Sequence, residues 1–257
     1  MARILITGSS DGLGQITARS LISQGHKVTL HARNTERAKQ ASEGAPGAED
    51  VLVADLSSIA QTKTLAAEAN KRGPFDVVVH NAGLGYQEGY CKTEDGIASV
   101  FAVNSLAPYI LTCLMKKPKR LVYLSSGLHT GGDASLNDVT WTSEGRRWHS
   151  RQAYSDSKLH DVMLAFAVAR HWPDVDSNAC SPGWVKTKMG GAGAPGNAEK
   201  GARTQIYLAG TKENTGSGRY WNDTKPSKAH PAAGDVAKQE EFLRICESLA
   251  GVAFPKD

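Results

Sequence analysis

Tyr154 and Lys158 stand four residues apart in "YSDSK", inside a stretch whose pattern predicts a helix from Gln152 to His171, ended by Pro173. Side chains at that spacing share one helix face. A free phenol holds its proton to a pH near ~10, and drawing it down by about 3 units takes roughly 4 kcal/mol of differential stabilisation, which a neighbouring ammonium can supply. The pair could then pass a proton to or from an oxygen near neutral pH. The same spacing also occurs on helices that do no chemistry, so its surroundings must decide.

The first of those surroundings is "TGSSDGLG", Thr7 to Gly14, directly after the apolar run Ile4, Leu5, Ile6. Gly8 permits a sharp turn, Gly12 lets the backbone approach a pyrophosphate, and Gly14 lets a helix pack closely on the strand. The helix N-terminus adds free N–H groups and roughly half a positive charge, which suits an anion. A literal G-x-G-x-x-G stands instead at Gly191 to Gly196, "GAGAPG". That match is empty, because no strand leads directly into a helix there and Pro195 removes an amide.

Further along, the run "KVTLHA" ends in Ala32 and Arg33, where an NAD site usually places an acid. An arginine suits the 2'-phosphate of NADP through its charge and planar fork of donors. Asp55, after "VLVA", can accept from an adenine amino group or cap the helix expected to begin near Ser57. Pro108 falls four residues after Asn104 in a helix predicted from Glu94 to Met115, so the carbonyl of Asn104 loses its partner and the helix should kink.

Strand-like and helix-like runs alternate in the order β-α-β-α-β-α-β-α-β-α-β, with no linker or internal repeat. Strands apolar along their length and separated by helices predict an α/β, doubly wound parallel sheet of Rossmann type, helices on both faces, as one domain over residues 1–257. Ligands of such sheets sit beyond the carboxyl ends of the strands. The glycine-rich part of segment 187–200 reads equally as a lid over that site or as a surface loop.

Lys and Arg total 30 against 26 acidic residues, a formal charge of +4 too dispersed to imply a nucleic-acid partner. The one basic cluster, Lys116 to Arg120, fits a solvated turn between a helix and a strand. The four cysteines, at 91, 113, 180 and 246, are scattered with no metal-ligand spacing, so no metal site is expected. No secretory leader or membrane anchor is evident, which leaves the sequon at Asn222 unused and a cytoplasmic protein as the expectation.

Taken together, these strings resemble the short-chain dehydrogenase/reductase family: "TGSSDGLG", "DL" at Asp55, "HNAG" at His80 to Gly83, "VN" ending at Asn104, "SS" at Ser125 and Ser126, "YSDSK", and "PGWVKT" at Pro182 to Thr187. "SSGLH", the long segment before the tyrosine and "GSGRYW" look most like its retinol-dehydrogenase-like branch. The resemblance implies that Tyr154 is the acid/base, that Lys158 also binds the nicotinamide ribose, that Ser126 rather than Ser125 holds the substrate oxygen, and that Asn104 joins a proton relay. It further implies cofactor contacts from Gly8, Ser9, Ser10, Gly12, Leu13, Gly14, Arg33, Asp55, Leu56, Asn81, Ala82, Gly83, Tyr154, Lys158, Pro182, Gly183, Val185 and Thr187. The implied function is NADP(H)-dependent interconversion of a small, apolar ketone or aldehyde and its alcohol, NADP(H) being preferred over NAD(H). Homo-oligomers are common in the family. A non-catalytic NADP-binding sensor and a cofactor-assisted epimerase or dehydratase are the alternatives. His129, His149 and His160 read as surface or packing residues, and Trp141 and Trp148 either line a pocket or pack their segment down.

Overall fold

The computed structural model describes residues 1–87 and 89–256; position 257 of the expected single unit lies outside them. Among these residues eight strands form one sheet in the order β3-β2-β1-β4-β5-β6-β7-β8. They are β1 (Arg3–Ile6), β2 (Lys27–Ala32), β3 (Asp50–Val53), β4 (Val77–His80), β5 (Arg120–Leu124), β6 (Asp176–Ser181), β7 (Arg219–Asn222) and β8 (Lys225–Ser227). Pairing is parallel through β7, and β8 closes the edge antiparallel. The first six strands match the expected order. The last two, a short hairpin at the edge, were missed because β8 reads Lys-Pro-Ser and is exposed throughout, leaving no apolar alternation to find.

Helices α1 (Gly12–Ser23), α2 (Thr35–Gly44), α3 (Ile59–Arg72), α4 (Ser99–Phe101), α5 (Ala107–Leu114), α6 (Ser150–His171), α7 (Ala198–Gly210) and α8 (Val236–Ala250) cover both faces. Adjacent strand residues feed opposite cores: Ile4 and Ile6 pack with Leu21 of α1 and Leu208 of α7, whereas Leu5 packs with Leu65 of α3 and Leu159 of α6. The period of two thus explains why Ile4, Leu5 and Ile6 of β1 are apolar in succession.

The stretch expected to be helical from Glu94 begins only at Ser99, and its kink takes a particular form. Residues Ala102–Leu106 make a π turn, in which the amide of Ala107 reaches the carbonyl of Ala102, before α5 resumes. A widened turn is a known way to accommodate a residue that cannot donate, here Pro108. Among the described residues no helix is long and apolar enough to cross a membrane.

Candidate functional site

The strand order reverses between β2 and β4 on either side of β1, so a crevice opens at the carboxyl ends of β1 and β4. The glycine turn occupies it. Gly8 has φ of 62°, and a Cβ there would lie 2.7 Å from the Cα of Ala82. A Cβ on Gly14 would stand 2.4 Å from the carbonyl oxygen of Gly8 and 2.5 Å from Nδ2 of Asn81. Gly12, with φ of 53°, faces open space, the nearest atom being a methyl of Thr187 at 3.9 Å. Two glycines therefore allow close packing within the protein, while the third leaves backbone accessible to a ligand.

The turn is held by its neighbours. Asn81 Nδ2 donates to the carbonyls of Thr7 and Gly8, both at 2.9 Å, and Thr7 Oγ1 accepts from the amides of Asn81 and Ala82 at 3.0 Å. Ser9 is wholly buried; its hydroxyl donates to the carbonyl of Ile6 and accepts from the amide of His31. Its side chain thus shapes the turn. The first-turn amides of α1, at Gly12, Leu13 and Gly14, point from the helix start with no intrahelical partner. Asp11, preceding them, is 2.7 Å from Nη2 of Arg37 and 3.2 Å from Nζ of Lys188. Burial raises its carboxyl, but these cations outweigh it and hold the group below the usual range. Open backbone at Gly12, free amides and two cations nearby fit an anionic dinucleotide.

At the end of β2, Arg33 is exposed, and among the described residues no hydrogen bond or ion pair engages its guanidinium. Asp55 does not cap the next helix. Its Oδ1 accepts from the amide and hydroxyl of Ser57, and Ser58 is the residue whose side chain caps α3. An aspartate can bond its own loop two residues on, which the capping expectation overlooked. Leu56, beside it, is buried.

Tyr154 and Lys158 lie on one face of α6, both nearly buried, with Nζ 5.7 Å from the centre of the phenol ring. The ammonium donates to the carbonyl of Leu124 at 2.7 Å and to Oδ2 of Asp161 at 2.8 Å. Burial works against its charge, but Asp161 and Tyr154 hold its pKa above the ordinary lysine value. Gly83, after β4, comes within a Cβ's reach of the same group: a Cβ there would be 3.7 Å from Nζ and 3.4 Å from Oδ1 of Asn104. Asn104, from the π turn, accepts from the amide of Leu84 at 2.7 Å and donates to Ser157 Oγ at 3.0 Å, linking this loop to α6.

The two serines after β5 differ. Ser125 is buried and donates to the backbone carbonyl of Lys158, whereas Ser126 is half-buried at the start of a 3₁₀ turn, Gly127–Gly131. His129 holds that turn, its Nδ1 lying 2.7 Å from the carbonyl of Ser126 and its Nε2 accepting from the amide of His230. Sequence reading left His129 as a surface or packing residue; its position at Ser126 became visible only with the turn folded.

After β6, the hydroxyl of Ser181 accepts from the amides of Gly127 and Gly183, joining the Ser126 turn to Pro182 and Gly183. The loop from Val185 is tied to itself by a bridge between Val185 and Gly196 and by Trp184 Nε1 donating to the carbonyl of Gly190. It reaches the glycine turn on one side through Thr187 and Lys188, and on the other presses Met189 against Gly85. Tyr86 meets Tyr154 edge-on, ring centres 5.8 Å apart, so aromatic surface borders the phenol.

Trp141 and Trp148 pack on each other at 5.2 Å, with the Arg146 guanidinium 3.5 Å from the Trp141 ring; they hold down the segment before α6. His149 caps α6 by accepting from the amide of Gln152, and His160 is buried against Phe101 and Phe242. Two contributors escaped sequence reading. His31 supports the glycine turn, and Gln205 on α7 donates to the carbonyl of Leu13 at 3.2 Å. His31 lay inside the "KVTLHA" run, but nothing there tells a strand histidine from a ligand-facing one. Among the described residues no cluster suited to a metal ion occurs.

Residues 2–198 match the family model for short chain dehydrogenase. Over 99% of both chains the sequence is 53% identical to an uncharacterized oxidoreductase of Emericella nidulans. Human retinol dehydrogenase 14 is 30% identical, over 97% of this chain and 86% of its own length, in line with the branch expected from sequence. Among solved structures, an uncharacterized protein from Mycobacterium paratuberculosis shares the fold at a TM-score of 0.87 and 26% identity, covering 99% of this chain and 95% of that one.

Proposed function

The chain belongs to the short-chain dehydrogenase family, oxidoreductases that use a nicotinamide cofactor, and on that premise we propose that it interconverts a ketone or aldehyde and the corresponding alcohol with NADP(H) preferred. The observation carrying this reading is the meeting of Tyr154, Lys158, Asn104 and Gly83 at the carboxyl ends of the strands, beside an open glycine turn. In the reducing direction the hydroxyl of Tyr154 donates its proton to the carbonyl oxygen. Lys158 stabilises the phenolate that remains, and Ser126 holds the same oxygen by a hydrogen bond. The bound cofactor supplies or accepts the hydride.

Gly12, Leu13 and Gly14 offer amides to the pyrophosphate, with Gly8, Ser9 and Ser10 shaping the cradle. Arg33 would pair with a 2'-phosphate, Asp55 and Leu56 would hold the adenine, and Asn81, Ala82 and Gly83 the riboses. Pro182, Gly183, Val185 and Thr187 would hold the nicotinamide end, and segment 187–200 would act as a lid. The ring of Tyr86 beside Tyr154, with the exposed Trp184 and Met189 on the loop after β6, supports a small apolar substrate.

The reading is tested by following a panel of carbonyls and alcohols at the reduced-nicotinamide absorbance, with NADPH and NADH in parallel. Turnover of at least one carbonyl with NADPH, lowered about 100-fold or more in Tyr154→Phe, is expected. No turnover of any member with either cofactor would sink it.

A further inference from the structure

The carboxylate of Asp161 is nearly inaccessible to solvent, and its Oδ2 accepts from Nζ of Lys158 at 2.8 Å. Burying a carboxylate is costly, and a residue needed only to fill space on α6 would not carry a charge. Lys158 already has the carbonyl of Leu124 as an acceptor at 2.7 Å. The second acceptor therefore adds charge and not merely a hydrogen bond.

Resting on the reading of Tyr154 and Lys158 as the proton-handling pair, we propose that Asp161 is a positioning residue that offsets the charge of Lys158 and keeps the pair in its proton-bearing form, which sets the site for carbonyl reduction over alcohol oxidation. A negative charge beside the ammonium disfavours loss of a proton from either member: it stabilises the charged lysine and opposes a second negative charge on the phenol. Reduction needs the hydroxyl protonated, and oxidation needs it deprotonated. The other titratable groups facing Asp161 are Tyr123 on β5 and Cys180 on β6; burial raises both, the thiol to about 12, so both stay neutral. Among the described residues only Lys158 brings a charge to this spot. Burial also pushes Asp161 up to about 6, the ammonium pulling against it, so the offset is present above that pH and fades below it.

Asp161→Asn retains an oxygen that can accept from Nζ and removes the charge. When carbonyl reduction by the NADPH-loaded enzyme is followed from acid to alkaline pH, the variant should lose rate on the alkaline side about one pH unit or more earlier than wild type, with the profiles converging in acid. An unmoved alkaline limb, or a drop of equal size at every pH, overturns the proposal. A second measurement needs no turnover: in protein labelled with nitrogen-15 lysine, the Lys158 ammonium resonance should persist to higher pH in wild type than in Asp161→Asn, and equal titration overturns the proposal. If the variant does not fold, wild type alone decides, because a Lys158 that titrates below the usual lysine value of about 10.4 is not being held by Asp161. Wild-type enzyme that reduces no carbonyl defeats the functional reading, while the lysine titration still judges Asp161.

Discussion

The amide of Gly8 donates to Nδ1 of His31 across 3.0 Å, so the glycine turn after β1 is held by a neutral imidazole in β2. The other ring nitrogen faces the carbonyl of Ala54 at 3.0 Å, which places the single ring proton on Nε2. Protonating Nδ1 would set one donor against another inside the core. Burial accordingly brings the pKa of His31 down to about 4.

Because that value lies below the ordinary 6.5, the unfolded chain takes up this proton first as pH falls. The stability that His31 contributes is whole above about pH 6.5 and is lost progressively towards pH 4. Thermal melts of wild type and His31→Phe across that window should show the steeper decline in wild type. The variant should also start lower at neutral pH, by about 1–3 kcal/mol, because the Gly8 amide loses its partner. Parallel declines would remove His31 from the account.

Tyr154→Phe should lower kcat about 10²–10⁴-fold, the usual worth of a positioned general acid. Affinity for NADPH, read from nicotinamide fluorescence, should change little, since the ring remains. Retention of wild-type turnover would exclude the hydroxyl from the chemistry.

Arg33→Asp tests the cofactor preference. A charged hydrogen bond contributes about 1.5–3 kcal/mol, so the ratio of kcat/KM for NADPH to that for NADH should fall about 10–100-fold. An unchanged ratio assigns the discrimination elsewhere.

Gly14→Ala and Gly12→Ala should fail differently. At Gly14 the new methyl meets Gly8 and Asn81 within 2.5 Å, an overpacking expected to cost about 1–3 kcal/mol or more in urea unfolding. At Gly12 the methyl meets nothing closer than 3.9 Å, so the left-handed backbone, φ 53°, is the one source of strain at about 1–2 kcal/mol, and NADPH binding should suffer more than stability.

Phe254→Ala should cost about 3 kcal/mol of stability with kcat unchanged. The ring is buried against Trp172 and His171, at 5.3 Å and 5.2 Å, far along the chain from the site residues. A loss of turnover without a loss of stability would contradict that separation.

The sequence by itself determined the alternation of strands and helices, the glycine turn and the Tyr154–Lys158 spacing, because each is a local relation within a few residues. β1 to β5 were legible from apolar runs, β6 from its place in the alternation, and Gly8, Gly12 and Gly14 from backbone sterics. The edge strands β7 and β8, the later start of the helix at Ser99 and the π turn were not, since each depends on what packs against it. Tertiary structure alone decided that His31 supports Gly8, that Ser58 and not Asp55 caps α3, and that Asn104 ties the loop after β4 to α6. It also brought the site's charges to their settings. Asp161 is three residues from Lys158, but only burial of both makes their pairing strong enough to govern a proton, because water would otherwise screen it.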